Sequence, residues 1–182
     1  NAEILSAAVG SDGIVYAQNS HFVTTLIKGA LHKAMRGRLE NNRLPNVRYI
    51  VIDPEDMPFD ESIDLAIWGL NMHDVYNQDG EAATIRFLDN IKRSLKPGGL
   101  LMGYLFGEGT LMELRTSFNK AEIELEGSLS LRVVPMVEIK SIGNLLGRAG
   151  FEKTVSDLIS HKVHYTELRS LFSDLRRMGE TN

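Results

Sequence analysis

Three short clusters in this sequence place reactive or ligand-holding side chains directly after apolar runs. Asp53-Pro54-Glu55-Asp56-Met57 follows the run that begins at Val47. A carboxylate beside an apolar side chain suits a flat heterocycle, which needs an apolar wall and one or two placed polar atoms. The plainer alternative is that Asp53 caps a loop and Met57 packs in the core. Gln18 and Asn19 close the short run Ile14–Ala17. Their amides can donate and accept hydrogen bonds but lack the charge that strengthens such bonds. A role as turn residues is an equal alternative. Asn71-Met-His73-Asp-Val-Tyr76 follows the run Ile63–Gly69. His73, with an ordinary pKa of about 6.5, could take a proton from an oxygen or nitrogen nucleophile. Tyr76 could orient the group that gives it up. A lone loop histidine otherwise serves structure. His161 and His164 share one strand turn without carboxylate or cysteine neighbours, so no zinc site is expected and no metal is assigned.

The elements that must position these clusters follow from periodicity. Ala2–Val9 reads as the last turns of an amphipathic helix stopped by Gly10. Ile14–Ala17 is a strand. His21–Arg38 carries Phe22, Leu26, Ala30, Leu31 and Met35 on one helix face. Val47–Asp53 and Ile63–Gly69 are strands, with a loop over 54–61 between them. Ala82–Leu95 is a helix with Ile85, Leu88, Ile91 and Leu95 on one side. Lys96-Pro-Gly-Gly99 is expected to stop it and turn the chain into a strand over 100–106, since proline cannot continue a helix and glycine permits the tight entry. Helices are expected over 110–126, 138–149 and 167–178. Phe151–Leu158 and Lys162–Thr166 read as two strands, antiparallel because three residues cannot make a parallel crossover. The apolar runs at 47–52, 63–69 and 100–106 suit parallel strands buried on both faces, whose carboxyl ends open onto a ligand crevice. Alternating strands and helices imply an α/β layered sheet.

Bulk composition narrows the function classes. A chain of 182 residues can bury one good core, so a single domain is the default. The net charge of -4 argues against nucleic acid as a partner. The absence of cysteine removes disulfides, thiolate zinc sites and cysteine nucleophiles. No apolar run approaches the roughly 18–20 residues of a membrane span.

The acidic end of the first long strand and the Lys96-Pro-Gly-Gly99 turn resemble the class I S-adenosylmethionine-dependent methyltransferases. That resemblance implies a Rossmann-like, mostly parallel sheet with an antiparallel strand pair at its C-terminal end. It implies S-adenosylmethionine as cofactor and methyl transfer to an oxygen or nitrogen of a small-molecule or protein acceptor. Asp53 would accept from the adenine amino group, with Pro54 and Met57 beside it and Met57 on the ring. Gln18 and Asn19 would face the ribose, where many relatives carry a carboxylate. Asn71 would line the cofactor, and His73 and Tyr76 would face the acceptor as catalytic residues.

A second resemblance covers roughly 104–182. Phe106-Gly-Glu-Gly-Thr-Leu-Met-Glu-Leu-Arg115, Ala121-Glu-Ile-Glu-Leu-Glu-Gly127, Leu145-Leu-Gly-Arg-Ala-Gly-Phe151 and Asp174-Leu-Arg-Arg-Met-Gly-Glu-Thr-Asn182 are similar to the methyltransferase-fold assembly factors of mitochondrial complex I and their alphaproteobacterial relatives. The biotin-pathway malonyl-carrier-protein methyltransferases are more distant cousins. The loop Ser128–Pro135 departs from the family pattern. Residues 2–103 are more similar to a group of predicted bacterial methyltransferases, so a seam between two branches would fall near 102–106. The second resemblance implies an alternative function as a non-methylating assembly factor, with a complex I subunit or a second copy of the chain as partner. It implies a cytoplasmic location, or the mitochondrial matrix in a eukaryote. No Gly-x-Gly-x-Gly occurs in the chain. The first strand and glycine-rich turn of the family's fold are therefore expected to be missing here, supplied by upstream sequence or replaced by another segment or chain.

Overall fold

A computed structural model describes residues 2–69 and 72–178, and their side chains except those at 26–28, 72–74 and 77–78. Asn71 lies outside the described residues, as does the side chain of His73. The chain forms two compact units. One comprises Asn1–Ile67 and Ile85–Met102, the other Trp68–Thr84 and Gly103–Asn182.

In the first unit, helix α1 (Ala2–Val9) leads through a turn to strand β1 (Val15–Asn19). Helix α2 (His21–Leu39) follows, and strand β2 (Val47–Val51) returns beside β1. The two strands are parallel and in register from Val15 opposite Val47 to Asn19 opposite Val51. Helix α1 packs on β1 and α2 packs on β2, the right layering for a strand–helix–strand crossover. Asn46 pins the entry to the ladder. Its side-chain amide donates to the carbonyls of Ser6 at 2.9 Å and Gly10 at 2.7 Å, two of the carbonyls that end α1. Its side-chain oxygen accepts from the Ser6 hydroxyl at 2.5 Å, and its backbone carbonyl accepts from Val15 N–H at 2.9 Å. One residue therefore satisfies a helix end and starts a sheet.

Strand β3 (Ile63–Gly69), helix α3 (Met72–Ser94) and strand β4 (Leu95–Tyr104) come next. The last carbonyls of α3 do not go to waste. Those of Arg93 and Ser94 accept from Glu61 and Ser62 N–H at 2.9 and 3.1 Å, which docks the helix end onto the start of β3. Strands β3 and β4 form their own two-stranded ladder. Gly99 lies against the Ile63 carbonyl, Gly103 against Trp68 and Gly69 against Tyr104. The pairs ascend together, the sense of a parallel pair. Of the helical face expected from Ile85, Leu88, Ile91 and Leu95, the last three are buried, Leu88 fully, though Leu95 already belongs to β4, and Ile85 is half-buried.

Several sequence expectations need correction. A further helical segment from Met72 precedes the helix expected from Ala82, so Tyr76 stands on a helix and not in a loop. Gly80, at φ 80° and ψ -177°, interrupts it, and the periodic pattern was legible only beyond that break. Lys96–Gly99 is not a separate turn before a strand. It forms the first part of β4, where Gly98 takes φ +79° and the backbone at Gly99 approaches the Ile63 carbonyl too closely for a Cβ at full ease. Nor are the strands buried on both faces. Leu65 and Ile67 are 40% exposed, Leu100 55% and Met102 52%. Among the described residues each sheet holds two strands, so each strand has one ladder neighbour.

The second unit is built on α4 (Met112–Glu126), α5 (Ile139–Arg148) and α6 (Leu168–Met178). Phe118 of α4 stacks on Phe172 of α6, with ring centroids 6.5 Å apart. Val133, Leu145 and Ala149 form its apolar core. Helix α5 ends where Gly150 takes φ +75°, with Gly150 and Phe151 N–H donating to the Gly147 and Leu146 carbonyls. The expected antiparallel pair over 151–166 is absent: among the described residues that stretch carries no strand. Val155 is 90% exposed, Ile159 72% and Val163 69%. A hairpin with no apolar face buried against a third element has little to hold it.

Glu122 is the buried charge of this unit. It accepts from the Ser130 N–H at 2.9 Å, from the Ser130 hydroxyl, and from Arg132 Nε at 2.5 Å. The Ser130 hydroxyl first, then its N–H and Arg132, hold the Glu122 carboxyl down to about 2. A carboxyl made more acidic by folding stabilises the fold above its unfolded pKa, and that contribution drains away as pH falls through the folded value.

Two outcomes follow from these anchors. Asn46→Ala should lower stability by about 1–3 kcal/mol, read as a shift of the urea midpoint, because two helix-end carbonyls lose their donor. Glu122→Gln should flatten the loss of stability between about pH 5 and about pH 2, followed by circular dichroism. Equal slopes in variant and parent would assign that titration to other groups.

Candidate functional site

The parallel register brings the carboxyl ends of β1 and β2 to one edge of the first unit. Ile52 N–H donates to the Asn19 carbonyl at 3.0 Å, extending the ladder by one step. The Gln18 side chain crosses the same edge and donates from Nε2 to the Ile52 carbonyl at 2.5 Å. Asn19 Nδ2 donates to the Tyr49 hydroxyl at 3.3 Å, and that hydroxyl lies 3.0 Å from His32 Nδ1 of α2. Both amides thus use a donor internally and keep a side-chain carbonyl as an acceptor.

Asp53 stands two residues beyond β2, in extended conformation, at the head of a 3₁₀ turn over Pro54–Asp56. Ser20 caps α2, its hydroxyl accepting from Val23 N–H at 3.2 Å, so His21 is the first residue of that helix. Its backbone N–H donates to Asp53 Oδ1 and its Nδ1 lies against Oδ2, each at 3.0 Å. A carboxylate at a helix N-terminus gains from the free N–H groups and the helix dipole. Each Asp53 oxygen still has lone-pair capacity beyond these two bonds.

Met57 closes the 3₁₀ turn and lines an open hollow of about 300 Å³ with Pro58, Phe59, Asp60 and Arg93. Phe59 packs against Tyr16 of β1, with ring centroids 4.7 Å apart and the rings tilted. The hollow is at the small end of ligand clefts. It has an apolar wall and a polar rim. Asp53 is not among its lining residues, so the carboxylate marks the strand edge while the wall is built by residues 57–59.

The structure therefore places Gln18, Asn19, Asp53 and Pro54 in one unit, with Asp53 four residues before the wall that Met57 begins. Tyr76 belongs to the second unit, on α3, and is 40% exposed. Asn71 and the His73 side chain lie outside the described residues. Sequence reading missed His21, which engages both oxygens of Asp53. The signal was present: Ser20 directly after the Gln-Asn end of a strand is a capping residue, and it sets residue 21 at the first turn of the following helix.

This arrangement coincides with a family assignment. A family model described as a methyltransferase domain matches residues 7–103. The chain belongs to the methyltransferase-domain family. The matched span contains β1, β2 and the Asp53–Met57 segment that carry the site. Relatives of the domain include the mouse protein named "Arginine-hydroxylase NDUFAF5, mitochondrial", 38% identical over 150 residues. That match spans 82% of this chain and 41% of the mouse protein. The "Malonyl-[acyl-carrier protein] O-methyltransferase" of Nitrosospira multiformis is 31% identical over 142 residues, 78% of this chain and 43% of that one. The chain thus spans less than half the length of either curated relative. Among solved structures, a SAM dependent methyltransferase from Aquifex aeolicus superposes with a TM-score of 0.52 at 19% identity, covering 81% of this chain and 64% of that one. It shares the fold.

The His21–Asp53 pair is testable by itself. With side chains 69% and 36% exposed, the imidazole contact should contribute less than about 1 kcal/mol. His21→Ala retains the backbone N–H bond and should unfold at nearly the parent's denaturant midpoint. Asp53→Ala removes both bonds and should cost about 1–2 kcal/mol. The reverse order would place the anchoring energy in the imidazole.

Proposed function

We propose that the chain is the methyltransferase domain of a protein that transfers a methyl group from S-adenosylmethionine to an oxygen or nitrogen of a small-molecule or protein acceptor. The observation that carries this reading is the methyltransferase-domain match over 7–103, which contains the parallel strand ends and the Asp53–Met57 segment. The residues suit the cofactor. Asp53 would accept from the adenine amino group with Pro54 beside it, Met57 would wall the ring, and Gln18 and Asn19 would offer side-chain carbonyls to the ribose hydroxyls. Asn71 would line the cofactor. When bound, the cofactor supplies an electrophilic methyl on a sulfonium. The chain's own task is alignment of donor and acceptor, which supplies most of the rate in such reactions. His73 would take the acceptor's proton and Tyr76 would orient the acceptor.

A second reading is favoured by the relatives named arginine-hydroxylase. In it the fold serves as an assembly factor that does not methylate, acting on a respiratory complex I subunit, alone or as a homodimer. Among the described residues no helix is long and apolar enough to cross a membrane. We place the protein in the cytoplasm, or in the mitochondrial matrix if its source is eukaryotic.

Calorimetric titration with S-adenosylhomocysteine tests the first reading. Saturable binding, weakened about ten-fold or more by Asp53→Ala with the fold intact by circular dichroism, supports it. No heat at about 100 μM folded protein would overturn it. Recovery of a complex I subunit in a pull-down, with no methyl incorporation, would select the second reading.

A further inference from the structure

Behind Asn19 the hydrogen bonds run from the end of β1 through β2 to α2. In the register of the parallel ladder Tyr49 stands opposite Ala17, and Asn19 is two residues further along β1, on the same face of the sheet. Ala17 carries only a methyl group, so the longer Tyr49 side chain can pass it toward the strand end. The Tyr49 hydroxyl accepts from Asn19 Nδ2 at 3.3 Å and lies 3.0 Å from Nδ1 of His32. The Tyr49 and His32 rings meet at a centroid distance of 5.5 Å, tilted by 46°. All three residues are half-buried.

These contacts decide which end of the Asn19 amide is left for a ligand. The backbone of Asn19 is fixed, because its carbonyl accepts from Ile52 N–H at 3.0 Å. Only the side-chain torsions remain to turn the amide, and the tyrosine hydroxyl holds its nitrogen. Oδ1 then has no partner among the described residues, yet it is not sealed off from solvent. An amide that turned freely would offer a donor or an acceptor alike. This one is set to offer its acceptor. Asn19 and His32 are the polar partners of the Tyr49 hydroxyl among the described residues, so His32 holds in place the group that holds Asn19.

We propose that Tyr49, itself held by His32, is a positioning residue for Asn19, and that the arrangement makes Asn19 select ligands whose sugar carries a free hydroxyl. The inference rests on the methyl-transfer reading, in which Asn19 faces the ribose. A ribose hydroxyl donates to Oδ1. A sugar without it leaves the acceptor unpaired, and a site built around a hydrogen bond rejects the ligand that cannot make it. Tyr49 and His32 act through Asn19.

The test is calorimetric titration of the 182-residue chain with S-adenosylhomocysteine and with its 2′,3′-dideoxy form. The parent should prefer the intact ribose, and Asn19→Ala should narrow that preference. Tyr49→Phe, which removes only the hydroxyl, should narrow it by about three- to ten-fold and should add nothing in the Asn19→Ala background. His32→Leu should act as Tyr49→Phe does, while His32→Gln, which keeps a hydrogen-bonding side chain, should retain the parent's preference. A loss of packing alone would weaken both ligands alike and leave their ratio in place. That result in Tyr49→Phe, or in His32→Leu should Tyr49→Phe lose its fold, would overturn the proposal. So would an equal effect of Tyr49→Phe with and without Asn19. No binding of S-adenosylhomocysteine to the folded parent would overturn the methyl-transfer reading and this inference with it. A parent that binds, with variants that keep its preference, would overturn the inference alone.

Discussion

The in-register parallel ladder between β1 and β2 is the constraint on which the candidate site depends. Parallel pairing has no tight turn to set its register, so the register must come from the two ends. At the entry, Asn46 ties the end of α1 to the start of both strands. At the exit, Gln18, Asn19 and Ile52 exchange backbone and side-chain bonds, and His21 grips Asp53. A slip by one residue would turn Val15 and Val47 out of the core and carry Asp53 away from the first turn of α2. The carboxylate's position therefore follows from an asparagine seven residues before it, at the opposite end of β2.

Much of this was legible in the sequence. The bounds of β3 were readable because an apolar run of strand length stood between polar neighbours. The buried stripe Leu88, Ile91 and Leu95 was readable from helical spacing. The start of α3 was not, because Gly80 interrupts the period and the segment before it has no apolar stripe of its own. The Lys96–Gly99 segment read as a turn from its composition, yet the ladder extends through it once Gly98 adopts a left-handed conformation. The 151–166 pair failed for the opposite reason. Alternation and β-branched residues promise strands, but strand propensity reports fit to a half-buried surface, and no such surface covers those residues here.

The candidate site was legible in its residue types and less so in its connections. Asp53, Gln18 and Asn19 share one edge, as their places at strand ends required. Their hydrogen bonds to one another's neighbours were not readable, since they cross between segments thirty or more residues apart. Within the wall at Met57, Pro58 and Phe59, Phe59 meets Tyr16, a contact that no local pattern encodes. Tyr76 stands in the other unit.

The stretch between α5 and α6 has a consequence for handling the protein. Val155, Ile159 and Val163 are more than two-thirds exposed, and the backbone around them is outside any ladder. Proteases bind their substrates as extended chain, so Lys153 and Lys162 offer trypsin ready points of cleavage. A cut there would sever α6 from the sequence before it, leaving the Phe118–Phe172 stack as one of the contacts that keep the released helix in place.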